Sequence, residues 1–300
     1  MDITTKYGIL NNCYNISYHS NNHVADCICQ KESPLTIDDT IYYPYFTENE
    51  RRKLSPSVKF YPDGSIKSLY LEKRLLISTK IGEFPAELIT FYPDGTLQRI
   101  FPLNGKISAY WTEENEAALL PKINFSFSCG NISIRPMCLH FYKNDTLKSL
   151  TFQPAETAEV TTSAGNLKVK CGLSFYDSEK LRSTEPAFPQ KVSTPIGRIT
   201  AFDPDSVDLS ADTNSFCFKE DGSIAVLKTT DSITVTDNND TQTIITPVRQ
   251  SHPLNENATL TIPLTLNFEA HELTIIKSPS EKYCFNLNDY KSIVASQNSD

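Results

Sequence analysis

Glycine is scarce in this 300-residue chain. With 10 in all, there are too few for flexible linkers, so each is expected where the backbone turns. Long apolar runs are missing as well. None approaches the roughly 18 residues that identify a membrane-spanning helix. The opening text, Met1-Asp2-Ile3-Thr4-Thr5-Lys6-Tyr7-Gly8, has no charged start followed by an apolar stretch. That pattern carries no secretory signal, so the cytoplasm is the expected compartment. Positive charge is in deficit, with 28 Lys and Arg against 36 Asp and Glu, a net charge of −8. Arg51-Arg52-Lys53 is the one basic cluster. Nucleic acid and anionic membranes are therefore not expected partners. Enzyme signatures are absent too: there is no Gly-x-Ser-x-Gly elbow, no phosphate-binding glycine loop and no dinucleotide fingerprint. No pair of carboxylates stands out for glycoside hydrolysis. The chain reads as non-catalytic, with no cofactor.

What is present is recurrence. Phe60-Tyr61-Pro62-Asp63-Gly64-Ser65-Ile66 returns as Phe91-Tyr92-Pro93-Asp94-Gly95-Thr96-Leu97. Worn copies begin at Phe141-Tyr142, Phe175-Tyr176 and Phe218-Lys219. The leading phenylalanines at 60, 91, 141, 175 and 218 are 31, 50, 34 and 43 residues apart. Uneven steps imply a unit of roughly 30–35 residues with insertions between copies. Each position has a mechanical role. The aromatic pair ends an alternating strand, proline presets φ, glycine accepts positive φ, and a branched residue starts the return strand. Asp145 and Glu179 stand where glycine is expected, which predicts looser or longer turns there. Tyr18-His19-Ser20-Asn21-Asn22-His23 reads as a degenerate first hairpin with the asparagines in the turn.

A second element lies between these hairpins. Ser78-Thr79-Lys80-Ile81-Gly82 recurs as Ser193-Thr194-Pro195-Ile196-Gly197, and in decayed form at Thr162-Ser163-Ala164-Gly165. It is expected to be the corner joining one hairpin to the next. Two short helical insertions are also expected. One opens at the capping box Thr47-Glu48-Asn49-Glu50, with Arg51-Arg52-Lys53 as a basic last turn facing solvent. The other spans 112–120, capped by Thr112 and stopped by Pro121. Residues 250–257 read as polar loop. The expected fold is all-β: an elongated or rolled antiparallel sheet of repeated hairpins over 1–230, with a β-rich cap over 231–300.

The cysteines lie at 13, 27, 29, 129, 138, 171, 217 and 284. Their scatter matches no disulfide framework and no Cys-x-x-Cys knuckle, so most read as buried free thiols. Cys13, His19, His23, Cys27 and Cys29 crowd the first thirty residues and are the candidate metal ligands. Asp203-Pro204-Asp205-Ser206-Val207-Asp208, with Asp212 and Asn214, offers several oxygens, but lacks the glycine at the sixth position and glutamate at the twelfth of a calcium loop. It reads as a solvated long turn.

At the Phe-Tyr-Pro-Asp-Gly motif, followed by Pro102-Leu103-Asn104-Gly105-Lys106-Ile107-Ser108-Ala109-Tyr110-Trp111, the chain resembles the MORN-like repeat superfamily. The resemblance covers about residues 57–230 and is nearest the bacterial branch, some of whose members are described as antitoxin components. It implies a single-layer or rolled sheet that binds or scaffolds another protein, and it implies no catalytic residue. Ala109 replaces the second glycine of that pattern, and the spacing exceeds the family's period. The contact residues expected on this reading are Tyr61, Tyr92, Tyr142 and Tyr176, together with Trp111 in a core or groove. The competing reading of the tyrosines is a half-buried stacking ladder. A different class of function, a metal-dependent module or enzyme, would use the N-terminal Cys/His cluster.

Overall fold

The computed structural model of the chain describes residues 1–206, 210–252 and 255–296. The protein is nearly all β, with 56% strand and 2% helix. It forms two compact units, one of residues 1–123 and 135–153, the other of 124–134 and 154–300. Residues 231–296 belong to the second unit; Leu264–Glu269 pairs directly with Ile224–Thr229.

In the first unit, eight strands follow each other as an antiparallel meander. They are Tyr14–Tyr18, Val24–Ile28, Val58–Phe60, Ile66–Thr79, Gly82–Phe91, Leu97–Phe101, Pro136–Phe141 and Leu147–Phe152. Side chains alternate between faces along a strand, so the register sorts neighbouring residues into two rows. Cys27, Val58, Leu69, Ile89, Ile100, Leu139 and Leu150 oppose one another across seven strands, each at most 1% exposed. This ladder is the spine of the core. The adjacent residues Asp26, Lys59, Ser68, Thr90, Arg99, His140 and Ser149 form a polar row on the opposite face.

The second unit repeats the meander through Gly165–Phe175, Leu181–Pro186, Phe216–Phe218, Ile224–Thr229, Leu264–Glu269, Glu272–Ser278 and Glu281–Asn286. Ala158–Thr162 pairs on Gly165–Phe175. Before and between the meander strands the chain makes separate two-stranded hairpins, such as Ile3–Thr5 with Gly8–Leu10, Leu35–Ile37 with Thr40–Tyr42, and Gln190–Thr194 with Gly197–Ala201.

The Phe-Tyr turns share one geometry. The Tyr61 N–H donates to the Ser65 carbonyl at 2.8 Å, and the Gly64 N–H to the Tyr61 carbonyl at 2.9 Å. The Asp63 carboxylate accepts from both the N–H and the hydroxyl of Ser65. The turns at Tyr92 and Lys219 close the same way, and so does the degenerate one at His19, where Asn22 takes the left-handed position with φ of 64°. The turns lacking glycine are neither looser nor longer. Asp145 and Glu179 each adopt φ of 65°, and their closing hydrogen bonds span 2.8–3.0 Å. The flanking strands fix the loop length, and the side chain tolerates the strained conformation. Asp145→Gly and Glu179→Gly should each stabilise the chain by roughly 0.5–1 kcal/mol, read as a raised urea midpoint with unchanged slope.

The Thr-x-x-Gly segments are themselves tight hairpin turns. The Thr79, Thr162 and Thr194 hydroxyls donate to the carbonyls of Gly82, Gly165 and Gly197 at 2.7–2.8 Å. A fourth, Thr5-Lys6-Tyr7-Gly8, closes identically at 2.8 Å.

Two expected elements differ. One helix forms, Glu113–Ala118, with the Thr112 hydroxyl accepting from the Asn115 N–H at 3.2 Å. The helix expected from Thr47 does not: residues 46–56 are irregular, and Asn49 instead brackets Arg52, whose N–H it accepts at 2.7 Å. Arg52 is drawn into the protein, and that tertiary attraction overrides a weak local propensity. Of the expected loop 250–257, residues 250–252 and 255–257 are strand, in the pairing of Val248–His252 with Asn255–Ile262, and residues 253–254 lie outside the described residues. The polar run Gln250-Ser251-His252 offers no period-two signal to read.

Candidate functional site

Three of the five candidate metal ligands meet. Cys13, Cys27 and Cys29 have sulfurs all within 4.8 Å of one another, and the residues are 3%, 0% and 0% exposed. Cys27 lies near the end of its strand and Cys29 two positions on, so both point to one side. Cys13 is brought in by the preceding hairpin. Its N–H donates to the Met1 carbonyl at 2.7 Å, and the side chain of Asn12 donates to Gln30 at 2.9 Å. Asn11 adds two bonds to the same segment, from its N–H to the Ser33 hydroxyl and from its side chain to the Glu32 carbonyl. The Cys29 N–H is held by the Ser57 hydroxyl at 3.0 Å. The acidity of the three thiols is unequal. Hydrogen bonds from Cys13 and Cys27 lower the Cys29 pKa, to about 4, and the Cys27 thiol is pushed up by the same interactions and by burial. Ser57 contributes little to that lowering, because its proton is already committed to the Tyr45 carbonyl at 2.5 Å.

His19 and His23 stand apart from the sulfurs. The His19 ring Nε2 bonds the Phe60 carbonyl at 3.0 Å, and the His23 Nδ1 bonds the Pro62 carbonyl at 2.7 Å. Both imidazoles therefore reach for the next turn of the meander. In this His19 imitates the tyrosines. The hydroxyls of Tyr61, Tyr92 and Tyr176 donate to the carbonyls of Phe91, Phe141 and Phe218 at 2.8–2.9 Å. Each of these rings is thus a peg that ties one turn to the next, half-buried and not freely exposed. A cation lies over each of the four rings: Lys67 over Tyr61, Lys143 over Tyr92, Lys148 over Tyr142 and Arg182 over Tyr176, at 5.6–5.8 Å.

Trp111 belongs to a cluster with no sequence signal. Its indole N–H donates to Glu116 at 2.6 Å, and the Gly105 N–H donates to the same carboxylate at 2.7 Å. Arg51 clamps Glu116 through two bonds of 2.7 Å and Glu87 through bonds of 3.1 and 2.6 Å. Arg74 reaches Glu87 at 3.1 Å, and Arg52 lies 3.8 Å from it while donating to the Leu71 carbonyl and stacking on Tyr45. So Arg51 and Arg52 are not a solvated helix end. Burial alone would raise the Glu116 pKa, but Arg51 and Trp111 hold it below the usual value. A Cβ at Gly105 would collide with that carboxylate, so glycine is required there. The result is a 102–122 segment pinned at its base, with Tyr110 fully presented at 90% exposure.

In the second unit, the Asp203 segment is not simply solvated. Asp203 is 4% exposed and paired with Lys228 at 2.6 Å; residues 207–209, with Asp208, lie outside the described residues. Asp203 shares a cavity of about 290 Å³ with Glu185, Asn214 and Ser215. Burial, and then the charge of Asp203, push the Glu185 pKa up, against hydrogen bonds from Ser215 of 2.7 and 2.8 Å. A carboxyl whose pKa is raised on folding stabilises fully below its unfolded value and loses that contribution as pH rises through the folded one. Glu185→Gln should therefore gain on the wild type between about pH 4 and pH 8. Urea midpoints at the two ends would show this; an equal difference at both would refute it.

No family model, curated protein or solved structure matches the chain.

Proposed function

We propose that this chain is a non-catalytic scaffold of MORN-like hairpin repeats that binds a partner protein along its tyrosine-turn edge, in a bacterial cytoplasm. The observation that carries the reading is the pegged edge. In the first unit His19, Tyr61, Tyr92 and Tyr142 begin successive turns, two strands apart, a pitch of about 10 Å. Hydroxyl-to-carbonyl bonds lock the tyrosine rings of 61 and 92, and cations lie over them. A rigid aromatic row with cations costs little ordering entropy on binding, which suits a protein surface with carboxylates at matching intervals. Lys67 and Lys148 supply charge without carrying the fold, while Lys143 shares its charge with Asp94 at 2.7 Å.

The test is proximity capture in the native host with a photo-reactive side chain at position 59, in the otherwise unchanged chain and in the triple variant Lys67→Glu, Lys143→Glu, Lys148→Glu. A protein cross-linked by the first and lost from the second, with both folded alike, supports the reading. Equal cross-linking by both sinks it.

A further inference from the structure

We propose that Cys13, Cys27 and Cys29 form a three-sulfur site for a soft, thiophilic metal ion, monovalent copper. This goes beyond scaffolding and does not rest on it. Two segments of the first thirty residues, one carrying Cys13 and the other Cys27 and Cys29, bring three of the eight cysteines to one point. Among the described residues no other set of three or more His, Cys, Asp or Glu side chains converges so closely.

The size is right. A metal–sulfur bond of about 2.3 Å puts sulfurs about 4.0 Å apart around a trigonal ion, or about 3.8 Å around a tetrahedral one. With the sulfurs already within 4.8 Å, closing on an ion needs a contraction of no more than about 1 Å. The segments are held in place before any ion arrives. The Cys13 stretch is clamped to residues 30–33 through Asn11 and Asn12, and the Cys29 backbone is clamped to Ser57.

The donor set then chooses the ion. Structural zinc takes four ligands, and catalytic zinc keeps a position open to water. Here there are three sulfurs, no imidazole or carboxylate beside them among the described residues, and almost no exposure. His19 and His23 are committed to the carbonyls of Phe60 and Pro62. Soft thiolate ligation with a coordination number of three is the preference of Cu(I). Binding forms Cu–S bonds and releases thiol protons to solvent; the copper enters already reduced, so nothing is oxidised or reduced.

The experiment uses the full chain carrying Cys217→Ser and Cys284→Ser, which removes the two least buried thiols. Cu(I) is added without oxygen in competition with bicinchoninate, and the retained ion is examined by X-ray absorption. One Cu(I) per chain with three sulfurs at about 2.3 Å is expected. Cys29→Ser in the same background should weaken retention by at least about 100-fold, while His19→Ala and His23→Ala leave it unchanged. A nitrogen in the coordination shell, fewer than three sulfurs, or complete surrender of copper to the chelator would overturn the site. So would displacement of the copper by an equal amount of Zn(II). Should Cys29→Ser fail to fold, the parent chain's stoichiometry and sulfur count decide alone.

Discussion

Glu87→Ala is expected to destabilise the chain by about 3–5 kcal/mol, the cost of removing one partner from a buried charge cluster. Glu87 is 4% exposed and faces three guanidinium groups, from Arg51, Arg74 and Arg52. It also accepts the Asn104 N–H at 2.9 Å, so its loss strips the 102–122 segment of an anchor. Arg52, itself 6% exposed, would keep its carbonyl acceptors but lose its nearest negative charge. Trp111, the chain's one tryptophan, hydrogen-bonds to the neighbouring Glu116 and reports the cluster directly. Urea unfolding followed by its fluorescence should show an early transition and a red-shifted folded-state spectrum. Glu87→Gln keeps an acceptor for Asn104 and should fall between. A loss below about 1 kcal/mol for the alanine variant would mean the cluster behaves as a surface pair.

Leu139→Ala is expected to cost about 2–5 kcal/mol, through lost transfer energy and the cavity left behind. Leu139 is fully buried between Ile100 and Leu150 in the apolar ladder, and strands lie on both sides of it. Collapse around the gap is therefore limited, which places the cost toward the upper part of that range. Lys148→Ala, close to Leu150 in the same strand but carrying its ammonium over the Tyr142 ring, should change stability by less than about 0.5 kcal/mol. Circular dichroism during urea titration measures both. Similar costs for the two variants would contradict the division between the apolar ladder and the charged rim of the turns.

Between them these two variants mark what is legible along the chain and what is not. The ladder that holds Leu139 is written in the residues, because strand alternation and turn chemistry are local rules and act within a few positions. That is why the all-β class, the Phe-Tyr turns and even the eroded turn at His19 are legible from the residue order alone. The turn at Thr5-Lys6-Tyr7-Gly8 carries the same signal as Thr79 to Gly82, a threonine three residues ahead of a glycine. Asp145 and Glu179 show the boundary: the sequence marks the turn, but the paired strands, not the residue, decide its length.

Sequence alone determined that this polypeptide is a succession of β-hairpins, since period-two burial and Pro-Asp-Gly turns need no distant partner. Only the tertiary structure decided which side chains meet. It gathered Arg51, Glu87 and Glu116 from positions dozens of residues apart and drew in Arg51 and Arg52, which local rules place in solvent, while Lys53 stays exposed. It also drew Cys13, Cys27 and Cys29 together and left His19 and His23 to bond a neighbouring turn. Charge pairing and thiol contact act through space at a few ångströms, and spacing along the chain does not encode that distance.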